Sequence, residues 1–148
     1  MTQIIVARMI LRQIGKTCAF APQKGRLMFV RSVKDVVANR DLLSIASGAT
    51  VRQAAHVLDR FNVGALVVLK DGQLIGLLSE RDIIRKCVGQ NLHSDTTLVD
   101  AVMTPDPRTV EAASGLNAAI ELMSAVGFRH LPAMQDGVCI ALLSIRDI

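Results

Sequence analysis

The sequence predicts an α/β (α+β) fold of two pseudo-symmetric subdomains, each read as β-α-β-β-α, packed face to face. Three observations carry this. First, sliding the 148-residue chain along itself by 65 positions superposes 33–83 on 98–148 without a gap, and 14 of the 51 aligned positions are identical. A period this long marks two copies of a small subdomain, since a solenoid needs at least three shorter units. Second, each copy alternates strand-like apolar runs with apolar positions at helical spacing. Third, a unit of about fifty residues has a marginal core alone, and two packed together do not.

In the first copy, Leu42 to Ala46 is a short apolar run that reads as a strand. Thr50 stands at a helix N-cap, and Val51, Ala54, Ala55, Leu58 and Phe61 recur at the three- and four-residue spacing of one helical face. Ala65 to Leu69 and Leu74 to Leu78 are strands joined by Lys70-Asp71-Gly72-Gln73, and Asp-Gly between apolar runs is the signal of a tight hairpin. Ser79 then caps a second helix expected to reach about Val88. The second copy repeats the pattern with Ser114 as cap, a helix over Leu116 to Ala125, strands over Leu131 to Met134 and Val138 to Leu143, the turn Asp136-Gly137, and Ser144 as the last cap. Continuous apolar strands suit sheets covered on both faces, and a twofold pairing leaves two related clefts at the joint.

Composition excludes several classes. Hydrophobic residues make up 51% and charged residues 20%, which is not a disordered polar tail. No apolar run reaches the roughly 18 residues of a bilayer-spanning helix. Cys18, Cys87 and Cys139 have no C-x-x-C spacing and are odd in number, so a reducing, cytoplasmic setting is expected. The net charge of +4 comes from Arg8, Arg12, Lys16, Lys24 and Arg26 in an acid-free stretch, and residues 28–148 sum to −1. With no Trp or Tyr and four Phe, the folded part lacks the basic groove and stacking platforms of a nucleic-acid binder. Neither nucleic acid nor membrane is expected as a partner. Residues 1–29 read as a basic N-terminal extension. Drawn as a helix, it places Ile4, Val6, Ile10, Leu11 and Ile14 on one arc and Arg8, Arg12 and Lys16 on another, like a transit peptide or membrane-surface helix. The alternatives are a disordered tail, or translation beginning at Met28.

Catalytic and metal patterns fail. His56, His93 and His130 lack ligand spacing, neither Ser79 nor Ser144 lies in a G-x-S-x-G elbow, and there is no phosphate-binding glycine loop. An enzyme is not expected. Ser79-x-x-Asp82 and Ser144-x-x-Asp147 read as capping boxes. The same geometry has a second use, because helix N-terminal N–H groups suit phosphate and a first-turn carboxylate accepts both bonds of a ribose diol. Arg129-His130 faces Gly64-Ala65 at the offset, so this cationic pair belongs to the second copy alone.

Together these segments carry a family resemblance. Each copy ends in a Gly-Leu-Leu-Ser-x-Arg-Asp-like stretch, Val-Met-Thr-Pro (102–105) opens the second, and Phe-Arg-His-Leu-Pro (128–132) precedes its middle strand. The combination resembles a tandem pair of CBS (cystathionine β-synthase) domains, a Bateman module of the stand-alone type. It implies CBS domain 1 over 30–88, a linker over 89–97 and CBS domain 2 over 98–148 with its last helix cut short. Ala141 departs from the family's usual glycine, which Gly76 keeps. The resemblance further implies that Asp82 and Asp147 hold ribose with Ser79 and Ser144 beside them, and that Arg129 and His130 contact phosphate. Ile45, Val63 and Ala65, with Val110, Phe128 and Leu131, would enclose the base. The implied function is a regulatory module sensing an adenosyl nucleotide such as AMP, ADP, ATP or NAD, requiring no cofactor, as a homodimer or toward a regulated protein. The alternative is a structural or dimerisation module with empty or degenerate clefts.

Overall fold

The computed structural model describes residues 31–148; the extension expected over 1–29 lies outside them. The helix α1 (Val33–Val37) opens on Ser32, whose hydroxyl accepts from the Asp35 N–H while the Asp35 carboxylate accepts from the Ser32 N–H. The first half continues with β1 (Ser44–Ala46), α2 (Val51–Phe61), β2 (Ala65–Lys70), β3 (Gln73–Ser79) and α3 (Glu80–Asp82). The helix expected to reach about Val88 changes pitch twice, through a π turn (Ile83–Cys87) and a 3₁₀ turn (Val88–Gln90). The second half comprises α4 (Val99–Val102), β4 (Thr104–Pro105), β5 (Val110–Glu111), α5 (Leu116–Val126), β6 (His130–Gln135), β7 (Val138–Ser144) and a 3₁₀ turn (Ile145–Asp147).

The fold is mixed α+β with two sheets, in the orders β1-β2-β3-β4 and β5-β6-β7. In each sheet the first pair is parallel and the second antiparallel. The hairpin pairs slip register between Val68 and Leu69 and between Ala133 and Met134, equivalent places in the repeat. Both hairpins turn through Asp-Gly at positive φ, 50° and 79° at Asp71 and Gly72, 52° and 77° at Asp136 and Gly137, as a two-residue turn requires. The strand β4 was not predicted. It adds Thr104 and Pro105 to the edge of the first sheet, where a proline withholds no ladder bond.

One expected cap is corrected. Ser114 does not cap α5; Gly115 holds the N-cap position, with no side chain to offer. Its neighbour Leu116 donates its N–H to the Arg31 carbonyl instead, so a backbone acceptor from a distant segment satisfies the helix start.

Two cores form, and short helices are exchanged between them. The first gathers Val51, Ala54, Val57, Leu58, Leu66, Val68, Leu78 and Cys87 with Val99 and Val102 of α4. The second gathers Val110, Ala119, Met123, Leu131, Ala133, Ala141 and Leu143 with Val33 and Val37 of α1. Each half therefore completes its core with a helix that lies in sequence just ahead of the other half's first strand. The sheets meet through β3 and β7. Among the described residues, no helix is long and apolar enough to cross a membrane.

Candidate functional site

Where the halves meet, both Ser-x-x-Asp segments open into one cavity of about 850 Å³, a size typical of small-molecule sites. On the first side β3 delivers Ser79 to the cavity edge, and the Asp82 carboxylate reaches back. Asp82 Oδ2 accepts from the Ser79 N–H at 3.0 Å and the Ser79 hydroxyl at 2.6 Å. Its Oδ1 faces Lys86 Nζ at 2.8 Å and the Thr104 hydroxyl at 3.4 Å. Burial pushes the Asp82 pKa up, but the Lys86 and Ser79 hydrogen bonds outweigh it and hold the carboxyl below its ordinary 3.8.

On the second side Asp147 Oδ2 accepts from the Ser144 N–H at 2.7 Å. Its Oδ1 lies 2.7 Å from Arg40 Nη1, and the carboxylate side chain is only 8% exposed. Arg40 reaches it from the connection between α1 and β1, across the joint from the first half.

The middle of the cavity joins the two sides. The Glu80 N–H donates to the Gly64 carbonyl at 3.0 Å, and the equivalent Ile145 N–H donates to the Arg129 carbonyl at 2.9 Å. A Cβ placed on Gly64 would sit 3.6 Å from His130 Cε1 and 3.7 Å from Glu80 Oε2. His130 of the second half therefore leans into the gap left by the first half's glycine. Burial, then Arg129, pull the His130 pKa below its ordinary 6.5, and the acids Asp147 and Glu80 only partly oppose them. The lowered pKa favours the neutral imidazole, so the charge of the pair sits on the Arg129 guanidinium.

Of the residues singled out from sequence, Ser79, Asp82, Ser144, Asp147, Arg129, His130, Val63, Ala65 and Phe128 line this cavity. Ile45, Val110 and Leu131 do not. Ile45 packs against the first core, while Val110 and the fully buried Leu131 belong to the second. The reason is strand alternation: with His130 turned to the cavity, Leu131 must turn to the opposite face. Sequence reasoning also passed over Arg40, Thr104, Asp106 and Arg108, which line the cavity from the segments leading into β1 and β5. One signal was present, because Asp41 and Asp106 are an identical pair at the 65-residue offset and both reach the cavity.

Comparison with known proteins follows the same halves. The CBS domain family model matches residues 33–89 and 99–148. A mitochondrial CBS domain-containing protein of Arabidopsis thaliana, CBSX3, is 36% identical over 104 residues, 67% of this chain and 50% of its own length. CBSCBSPB5 from the same plant is 29% identical over 111 residues, 74% of this chain and 20% of its own length. The chain therefore spans half or less of these relatives. Among solved structures, a CBS-domain containing protein from Agrobacterium tumefaciens is 29% identical with a TM-score of 0.73, covering 79% of this chain and 95% of that one. A CBS domain protein from Pyrobaculum aerophilum, complexed with AMP, is 28% identical with a TM-score of 0.73, covering 79% and 89%. With two copies of one family model laid in tandem over the two repeats, the chain belongs to the CBS domain family as a tandem pair.

Proposed function

We propose that the chain is a regulatory binding module that senses an adenosyl nucleotide, AMP, ADP, ATP or NAD, in the cavity between its two CBS domains. The observation that carries this reading is that both capped carboxylates, Asp82 and Asp147, and the Arg129-His130 pair open into the same cavity. Capping fixes each carboxylate before a ligand arrives, and its remaining lone pairs suit a ribose diol. The Arg129 guanidinium suits phosphate through its fork of donors, and Val63, Ala65 and Phe128 offer an apolar wall to the base. The AMP complex of the Pyrobaculum protein supports this ligand class. The reading assigns binding rather than catalysis, with no cofactor required, in the cytoplasm. The response passes within a homodimer or to a regulated protein; exposed Ile84, Val88 and Val126 on helical segments support burial against a second copy. Light scattering that reads a monomer at micromolar concentration removes the dimer.

One observation favours the alternative, a structural or dimerisation module with unoccupied clefts: each carboxylate is already paired with a cation of the chain, Lys86 or Arg40. Thermal melting with AMP, ADP, ATP and NAD separates the two. A ligand that binds only the native state adds about 2.7 kcal/mol at a hundredfold excess over its Kd, a rise of several degrees. Asp82→Ala and Asp147→Ala should each remove part of the rise. A folded protein whose melting no nucleotide shifts leaves the alternative standing.

A further inference from the structure

The two carboxylates differ in what pairs with them. Lys86 lies four residues beyond Asp82 on the same helical segment and also donates to the Met103 carbonyl at 3.3 Å. It is part of its own wall. Arg40 comes from the other half of the molecule, and its side chain is 44% exposed. Among the described residues, Asp147 is the one acid it pairs with. At the 65-residue offset Arg40 corresponds to Pro105, so among the described residues no equivalent cation reaches Asp82 from across the joint.

We propose that Arg40 is a specificity-determining residue of the Asp147 side. It occupies the carboxylate oxygen that a nucleoside diol would take, and it moves to the ligand's phosphate once the diol displaces it. The inference rests on the nucleotide reading above. A nucleoside without phosphate breaks the Arg40–Asp147 ion pair and offers Arg40 no replacement anion. A nucleoside monophosphate supplies one within the same cavity, where a guanidinium fork pairs with phosphate oxygens. Arg40 thus discriminates by penalising bare nucleosides, whereas Arg129 would discriminate by holding the phosphate directly.

The test is calorimetry of AMP and adenosine against the full chain as wild type, Arg40→Ala, Arg40→Lys and Lys86→Ala, with each variant's melting recorded to show that it folds. In Arg40→Ala, adenosine should bind about fivefold tighter at one site, the weight of a half-exposed ion pair, while AMP stays within about twofold. Arg40→Lys should keep most of the wild-type preference for AMP, and Lys86→Ala, which alters only the Asp82 side, should leave the ranking of AMP over adenosine at the Asp147 side unchanged. Weaker AMP with unchanged adenosine in Arg40→Ala makes Arg40 an ordinary phosphate contact and overturns the proposal. Equal changes for both ligands, or none, overturn it as well while leaving the nucleotide reading intact. Absence of binding by either ligand to wild type and Arg40→Ala alike overturns both.

Discussion

In the first half Thr50 caps α2, with Gln53 accepting from the Thr50 N–H in return; in the second, Gly115 stands at the same place with no side chain to use. The turn after β1 is fastened from α4, where Asp100 accepts from the Ser47 hydroxyl and the Gly48 N–H, each at 2.6 Å. Ala112 and Ala113 replace those two residues after β5, and Asp35, the counterpart of Asp100, turns back to Ser32 instead. There the tie is backbone only, from the N–H groups of Val33 and Lys34 to the carbonyls of Ser114 and Ala112. The sheet is adjusted too. A Cβ at Gly76 would collide with the Met103 sulfur. In the second half the pair equivalent to Gly76 and Met103 is Ala141 and Ala38, so volume removed from the helix is restored on the strand. The glycine at 76 therefore answers packing by Met103. The lesson is that duplication kept the frame while the side-chain fastenings diverged. Among the described residues the second half has fewer side-chain ties, and it also carries Arg129, His130 and the more deeply set carboxylate.

The comparison breaks first at the cores. Leu66→Ala and Leu131→Ala should each cost about 2–5 kcal/mol, and both should lower a single unfolding transition, because α1 and α4 are exchanged between the halves. Two separate transitions in calorimetry would show halves that fold independently. Next, Gly76→Ala should cost about 1–3 kcal/mol by crowding Met103. Ala141→Gly should cost about 1–2 kcal/mol, through backbone freedom and the loss of a methyl buried in the second core. A Gly76→Ala variant as stable as wild type would mean that Met103 does not set the strand residue.

Asp100→Ala should cost about 1.5–3 kcal/mol by removing two hydrogen bonds to a charged group, against about 1 kcal/mol for the cap lost in Asp35→Ala. Burial raises the Asp100 pKa, but the Ser47 and Gly48 bonds prevail and hold it below 3.8. Its contribution is present above the unfolded value and lost as the pH falls through the lower folded one. Denaturation between pH 5 and 2 should therefore show a shallower acid limb in Asp100→Ala than in wild type. An unchanged limb would remove the tie. Smallest of all, Thr50→Ala should cost about 1 kcal/mol, while Gly115→Ser should gain a few tenths. A loss in the second case would mean that Gly115 is needed for its backbone.

The frame was legible because duplication leaves a signal at every scale. Asp71-Gly72 and Asp136-Gly137 mark both hairpins, and Ser79-x-x-Asp82 and Ser144-x-x-Asp147 mark both caps. What escaped has no local signature. The valines of α1 and α4 announce a buried face without saying which core receives it. Arg40 and Asp106 reach the cavity from irregular backbone, where no period links position to direction, and Thr104 from a two-residue edge strand too short to show one. Leu131 was misplaced by choosing neighbours along a strand, although neighbours face opposite ways. Cavity lining and core were indistinguishable in Ile45 and Val110, because both environments select the same apolar side chains.

The inequality of the two sides of the cavity is tested most directly by calorimetry of AMP and adenosine on wild type and Arg129→Ala. The account predicts two unequal AMP sites, with Arg129→Ala weakening one by about ten- to a hundredfold, the weight of a charge-assisted bond, and adenosine unchanged. Two equal AMP sites in the wild type, or equal losses for AMP and adenosine in the variant, would contradict it.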